Sequence, residues 1–297
     1  MARTFLERLH AGEVLVADGA TGTNLQAAGV KPGAPPEDLV FDAPDTILNL
    51  QRAFVEAGSD IILTDTFGAT RLRLRESKYA ERVQDVNRRA VELARKAASA
   101  HEGVLVAGSM GPTGALMQPY GPLTSEEAIA VYAEQAQALT DAGVDLLLVE
   151  TMFALDEATA AVQGARQVST LPIVISFSYD RGVRTMMGVK PAQVVETFKP
   201  MGVVAVGANC GTTLDNMEKL VKDYAAFNSG LPIWAKPNAG LPLVEDGQSV
   251  YEVTPEQLAE YAARYVQAGA RIVGGCCGST PAHIAAMAKA VKGSGSR

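Results

Sequence analysis

The sequence predicts an α/β protein folded as a single (β/α)8 barrel, and three observations carry that prediction. Eight short runs rich in Val, Ile and Leu recur along the sequence. Each is continuously apolar rather than alternating, the pattern of parallel strands buried on both faces. Between and after them lie eight segments with apolar spacing near 3.6 residues, long enough for helices. No GxGxxG follows a strand and no GxxxxGK[ST] occurs, so the common open-sheet nucleotide folds lack their fingerprint. Eight strand–helix units in 297 residues match a closed barrel, which runs to about 250 residues, better than an open sheet.

The first run, Val14–Ala17, leads into Asp18-Gly19-Ala20-Thr21-Gly22-Thr23 and then a helix predicted over Pro44–Ala57. The second, Asp60–Leu63, leads into Thr64-Asp65-Thr66-Phe67 and a helix over Tyr79–Ala100. The third, Val104–Ala107, is followed by Gly108-Ser109-Met110-Gly111-Pro112 and a helix over Ser125–Ala142. The fourth, Val144–Val149, ends on Glu150-Thr151 before a helix over Asp156–Val168. The fifth, Pro172–Phe177, and the sixth, Val203–Val206, are separated by a helix over Pro191–Pro200. The sixth opens onto Gly207-Ala208-Asn209-Cys210-Gly211 and a helix over Asp215–Ala226. The seventh, Pro232–Ala235, gives Lys236-Pro237-Asn238-Ala239-Gly240 and a helix over Pro255–Ala268. The eighth, Ala270–Val273, gives Gly274-Gly275-Cys276-Cys277-Gly278 and a last helix over Pro281–Val291. Thr124, Thr254 and Thr280 are N-cap residues, the last two followed by Pro at the first helical position. Ala57-Gly58, Ala142-Gly143 and Ala268-Gly269 suit left-handed C-caps. One domain is expected over residues 1–292. Residues 293–297 read as a disordered or appended tail of linker composition.

Composition narrows the function classes. The formal net charge of −7 and the lack of a basic-aromatic stripe argue against nucleic acid. No apolar run approaches the roughly 20 residues that span a bilayer, and the charged start is not a secretory signal. Three cysteines are an odd number, which rules out a full disulfide framework and fits a reducing cytoplasm.

Active sites of such barrels lie where strands meet the following helices. All three cysteines fall there, Cys210 after the sixth run and Cys276 and Cys277 after the eighth. Only the seventh strand separates them, so their loops meet within a few strand spacings of about 5 Å. Taken singly, Cys210 reads as a small core residue. Together with an adjacent pair set among glycines, it reads as a metal site at the C-terminal ends of the strands. Zinc is the natural occupant of such a thiolate set. Three protein ligands leave a fourth position open, the pattern of catalytic rather than structural zinc. Zinc with three thiolates carries a net −1, a poor activator of water but well suited to holding a substrate thiol as thiolate. The expected chemistry is attack of that sulfur on an electrophilic carbon.

Other candidates are weaker. Lys236 invites a Schiff-base, aldolase-like reading, but a lysine before proline at a strand end fits a structural or charge-balancing role better. His283 is expected to be an exposed helix residue rather than a fourth ligand. Met110, Met117, Met152, Met186 and Met187 fall in loops after the third to fifth runs, where they serve either as core filling or as an apolar mouth.

The stretches "DGATGTNL" (Asp18–Leu25), "DTF" (Asp65–Phe67), "GP" (Gly111-Pro112), "ET" (Glu150-Thr151), "NC" (Asn209-Cys210), "KPNAG" (Lys236–Gly240) and "GGCCGSTPAHI" (Gly274–Ile284) occur in order over nearly the whole sequence. On these the sequence resembles the homocysteine S-methyltransferase family, with "GGCCG" after an upstream "NC" the most specific part. The resemblance implies a TIM barrel, zinc on Cys210, Cys276 and Cys277, and homocysteine as the thiol converted to methionine. It places Asp18 and Glu150 at the amino acid or its pocket wall and Asn238 at the substrate rim; Asp65 and Ser109 are candidates by position. "GPTGALMQPYGPLTSEEA" and "LLLVETMFALDEATAAV" resemble the homocysteine module of cobalamin-dependent methionine synthase more than the betaine or S-methylmethionine branches. A methylcorrinoid or methylfolate-linked partner is therefore the expected donor. The alternatives are an S-methylmethionine or betaine type of enzyme, or a non-catalytic zinc- and thiol-binding subunit.

Overall fold

The computed structural model describes residues 3–31, 33–245 and 248–293; four of the five expected tail residues lie outside the described residues. Eight parallel strands form one sheet: β1 (Leu15–Val16), β2 (Ile61–Leu63), β3 (Leu105–Met110), β4 (Leu146–Met152), β5 (Ile173–Phe177), β6 (Ala205–Asn209), β7 (Ile233–Lys236) and, after an antiparallel hairpin of β8 (Leu243–Glu245) and β9 (Gln248–Val250), β10 (Ala270–Val273). The order β1-β10-β7-β6-β5-β4-β3-β2 places β1 and β2 at the two ends. They meet through a parallel bridge between Ala17 and Ile61, with Asp60 N–H on the Val16 carbonyl at 2.6 Å and Asp18 N–H on the Ile61 carbonyl at 2.9 Å. The sheet thus closes into the (β/α)8 barrel.

All eight predicted helices form, with ends within four residues of those expected; the one expected from Tyr79 starts at Val83. Pro44, Pro191, Pro255 and Pro281 open their helices, and Thr124 and Thr254 cap theirs. A short helix, Phe5–His10, is not evident from the sequence pattern. Its Phe5 and Leu9 join Leu15, Ala17, Ile61, Leu63, Leu105, Ala107, Leu146, Leu148, Val174, Ala205, Trp234 and Ile272 in the inner core, closing the N-terminal end of the barrel. The alternate positions, such as Val16, Ile62, Val106, Leu147, Val149 and Val273, pack outward against the helices.

That period of two has a consequence for the upper end. The inward positions run 105, 107, then Ser109; 146, 148, then Glu150; 174, then Ser176; 205, 207, then Asn209; 234, then Lys236. Apolar layers fill the barrel, and a layer of buried polar side chains lies on top of them. Strands β3 and β4 run three residues beyond their expected ends, so Ser109 and Glu150 belong to strands rather than to the loops after them. Among the described residues, no helix is long and apolar enough to cross a membrane.

Candidate metal centre

The three cysteines are brought together. Their Sγ atoms lie within 4.8 Å of one another, and all three residues are half-buried and free of disulfides. Tetrahedral zinc with bonds of about 2.3 Å places sulfurs about 3.8 Å apart, so the set fits the ion with small adjustment. Backbone bonds fix each position. Cys210 N–H donates to the Lys236 carbonyl at 3.1 Å, extending the β6–β7 ladder by one step, and Cys210 then takes a left-handed φ of 57°. Cys276 N–H donates to the Pro237 carbonyl at 2.7 Å, and Ala239 N–H donates to the Cys277 carbonyl at 2.8 Å. The "KPNAG" segment is thereby stitched to the cysteine pair on both sides of Asn238.

Gly278 closes the turn at φ +80°, where a Cβ would run into the Tyr251 ring. A side chain there is excluded by both backbone and space. Tyr251 lies beside the Cys277 thiol, and burial together with that neighbour raises the pKa of its hydroxyl. Sequence patterning gives no sign of this residue, which follows the unexpected β8–β9 hairpin.

Without a cation the thiols hold their protons. At Cys210 the hydrogen bond with Cys276 lowers the pKa, but the bond with Cys277, burial and the neighbouring charge outweigh it and push the thiol up to about 11. Cys276 is raised by its bond with Cys210 and by burial. At Cys277 the bond with Cys210 lowers the value, while Cys276 and burial push it up to about 12. Three crowded sulfurs cannot ionise together on their own. A divalent cation among them reverses the balance, because its charge becomes the largest in the site. The donor set therefore fits a zinc ion.

The other predicted residues divide into groups. Asp18 and Lys236 form a buried ion pair at 2.7 Å, and the second Asp18 oxygen accepts Leu63 N–H at 2.7 Å. Burial pulls the Lys236 ammonium down, but Asp18 and Glu150 outweigh it and raise its pKa. Lys236 thus has the charge-balancing place expected of it. Glu150 accepts the Ser109 hydroxyl at 2.6 Å. Burial raises its carboxyl above the usual range, against the opposing effects of Lys236 and Ser109. Asn238 is buried, and its Oδ1 has no partner among the described residues. Asp65 is buried with an unpartnered Oδ2, its pKa raised well above normal by burial and by nearby Glu37, a residue the sequence does not single out.

His283 departs from expectation. It is 8% exposed, not solvent-facing, with Nδ1 bonded at the Thr280 cap and Nε2 2.8 Å from the Val253 carbonyl. Both ring nitrogens are occupied in holding the last helix to the loop before Thr254. The methionines split: Met110, Met117 and Met152 are buried, while Met186 and Met187 are exposed.

A homocysteine S-methyltransferase family model matches residues 15–291. The methionine synthases of Mycobacterium tuberculosis and Mycobacterium leprae are each 32% identical, over 94% and 95% of this protein. The chain spans 24% of the length of either relative. The metallated form of the homocysteine methyltransferase MmuM from Escherichia coli is 28% identical, with a TM-score of 0.79 over 95% of this protein and 98% of that one. A methyltransferase from Methanosarcina mazei, 12% identical at a TM-score of 0.61, shares the fold. With its barrel closed, its three thiols gathered at one rim and the family model matched from β1 to the last helix, the chain belongs to the homocysteine S-methyltransferase family.

Proposed function

We propose that this protein is a zinc-dependent thiol methyltransferase that methylates homocysteine to methionine in the cytoplasm. The observation that carries the reading is the cluster of Cys210, Cys276 and Cys277 sulfurs within 4.8 Å at the open end of the barrel. Zinc held by these three would offer its fourth position to the substrate sulfur and supply it as a thiolate at neutral pH. The protein's own residues then act by placement. Glu150 would receive the substrate ammonium, and Asn238, with its free buried Oδ1, would hold the amino acid from the other side. Asp18, with one oxygen on Lys236 and the other on Leu63 N–H, would shape the pocket and hold Lys236 in place beside the amino acid. Asp65 and Ser109 would complete the wall. Holding the sulfur in line with the methyl carbon supplies proximity. The sulfur–methyl bond forms as the bond from methyl to donor breaks, and the thiol proton leaves to solvent.

The donor we favour is a methylcorrinoid, or a methylfolate-linked group, presented by a partner. Phe67, Leu116, Tyr120, Met186, Met187, Leu241 and Leu243 are large, apolar and exposed. All seven lie in segments that follow strands β2, β3, β5 and β7. An apolar rim of this kind suits a large planar carrier better than a small polar donor. A second reading is direct use of a small donor such as S-methylmethionine or betaine.

The test is elemental analysis of protein purified under reducing conditions, followed by methionine formation from homocysteine with each donor. About one zinc per chain and turnover with one donor class support the proposal. Cys277→Ala should lower zinc below stoichiometry and abolish turnover. A Cys277→Ala protein that kept both would sink it. Zinc without turnover on any donor would instead favour a non-catalytic thiol-binding subunit.

A further inference from the structure

Strands β4 and β5 fall out of step just where β4 reaches the site. Val149 pairs with Ile175, but the next pair is Met152 with Phe177, so three residues of β4 face two of β5. The extra length is a bulge at Glu150-Thr151, and Thr151 takes a left-handed φ of 61°. A β-branched residue avoids that conformation unless its surroundings hold it there.

Among the described residues, one side chain supplies its side-chain hydrogen bonds. Asn209, fully buried at the end of β6, accepts Thr151 N–H on Oδ1 at 3.0 Å and donates Nδ2–H to Thr151 Oγ1 at 2.8 Å. The same Oδ1 accepts the Ser176 hydroxyl at 2.6 Å, fixing the amide orientation from β5 between them. A two-point grip on both the backbone and the side chain of Thr151 makes other conformations cost two buried hydrogen bonds. The residue before Thr151 is Glu150, and the residue after Asn209 is Cys210, itself left-handed.

We infer that Asn209 and Thr151 form a clamp that positions the Glu150 carboxyl for the substrate ammonium while tying that strand to the one ending in Cys210. The inference rests on the reading of this protein as a homocysteine methyltransferase. Neither residue need touch zinc or the reacting atoms; both are positioning residues. Thr151 Oγ1 is the accessible point of attack: valine keeps the branching and removes the acceptor, while serine keeps the acceptor.

The experiment compares wild type, Thr151→Val and Thr151→Ser, each loaded with zinc, for zinc per chain and for calorimetric binding of homocysteine and of 3-mercaptopropionate, a thiol without the amino group. Thr151→Val should weaken homocysteine binding about tenfold or more while leaving zinc stoichiometry and the simple thiol within about twofold. Thr151→Ser should behave as wild type. If Thr151→Val does not fold, Thr151→Gly takes its place, since it accepts the positive φ and also lacks the hydroxyl. An unchanged homocysteine affinity in the hydroxyl-less variant, or an equal loss for both thiols, would overturn the clamp alone. Wild type that binds neither zinc nor homocysteine would overturn the functional reading and the clamp with it.

Discussion

Replacing Lys236 with methionine tests the ion pair beneath the site. The Lys236 and Asp18 side chains are each 3% exposed and meet at 2.7 Å. Asp18 also accepts Leu63 N–H, the contact that helps join β1 to β2 where the barrel closes. Methionine keeps the apolar stem and leaves the Asp18 carboxylate buried without its cation. Breaking a buried pair from one side costs about 3–5 kcal/mol, because the remaining charge is uncompensated. At roughly 2–4 °C per kcal/mol for a protein somewhat smaller than this, the melting temperature should fall by about 6–20 °C. Removing both charges in Asp18→Asn/Lys236→Met should recover most of that loss, since no buried charge is then unpaired. The assay is thermal and denaturant unfolding of wild type, Asp18→Asn, Lys236→Met and the double variant. A Lys236→Met protein within about 1 kcal/mol of wild type would refute the argument, as would a double variant as unstable as the sum of the single ones. The same pairing keeps the amine from acting as a free nucleophile, so borohydride with a carbonyl compound should trap no adduct on Lys236.

Glu150→Gln separates function from stability. Because burial raises its pKa, Glu150 holds its proton in the folded protein to a higher pH than in the unfolded one. Its contribution is then fully present below the unfolded value and is lost as pH rises through the folded one. The glutamine variant should be as stable as wild type or more so at pH 7, with the difference vanishing toward pH 4, while homocysteine binds about tenfold more weakly or worse. A variant that melts below wild type at pH 7 would contradict the desolvation argument. Gly278→Ala should cost about 1–3 kcal/mol from its positive φ alone, and the contact with Tyr251 should also move Cys277 and weaken zinc retention in a chelator competition. Unchanged zinc affinity there would show that the turn does not set the thiol position.

The large-scale plan of this protein is legible because barrel strands are buried on both faces and stand out as apolar runs, and because the cysteines fall at two nearby strand ends. The polar layer is harder to read. Ser109, Glu150, Ser176 and Asn209 continue the inward alternation of their strands, but outward-facing Leu147, Val149 and Ile175 hide a period of two inside continuous apolarity. Apolarity alone therefore ends the runs too early, at Ala107 and Val149. Asn209 stands out in the sequence only as a neighbour of Cys210, since nothing in a linear sequence links it to Thr151, 58 positions away. A bulge leaves no composition signal when its extra residue is not glycine. His283 reads as exposed because a polar residue in a first helical turn usually is, but tertiary contact with Val253 buries it.

The charge arrangement at the open end gives a reason for an amino-acid thiol over a simple one. A zinc held by the three thiolates would carry −1, and a substrate thiolate in its fourth position would bring the cluster to −2. The nearest buried cation, Lys236, is already committed to Asp18. Among the described residues the polar layer adds no second cation, and the Glu150 carboxyl, its pKa raised by burial, would bring further negative charge on ionising. A substrate that carries its own ammonium resolves both difficulties at once: it gives Glu150 a partner and brings a positive charge to the thiolate cluster. Selectivity for homocysteine over 3-mercaptopropionate should therefore depend on the ammonium reaching Glu150 in the geometry set by the β4 bulge. Removing the Glu150 charge should collapse that selectivity while leaving the three-cysteine site able to hold its metal.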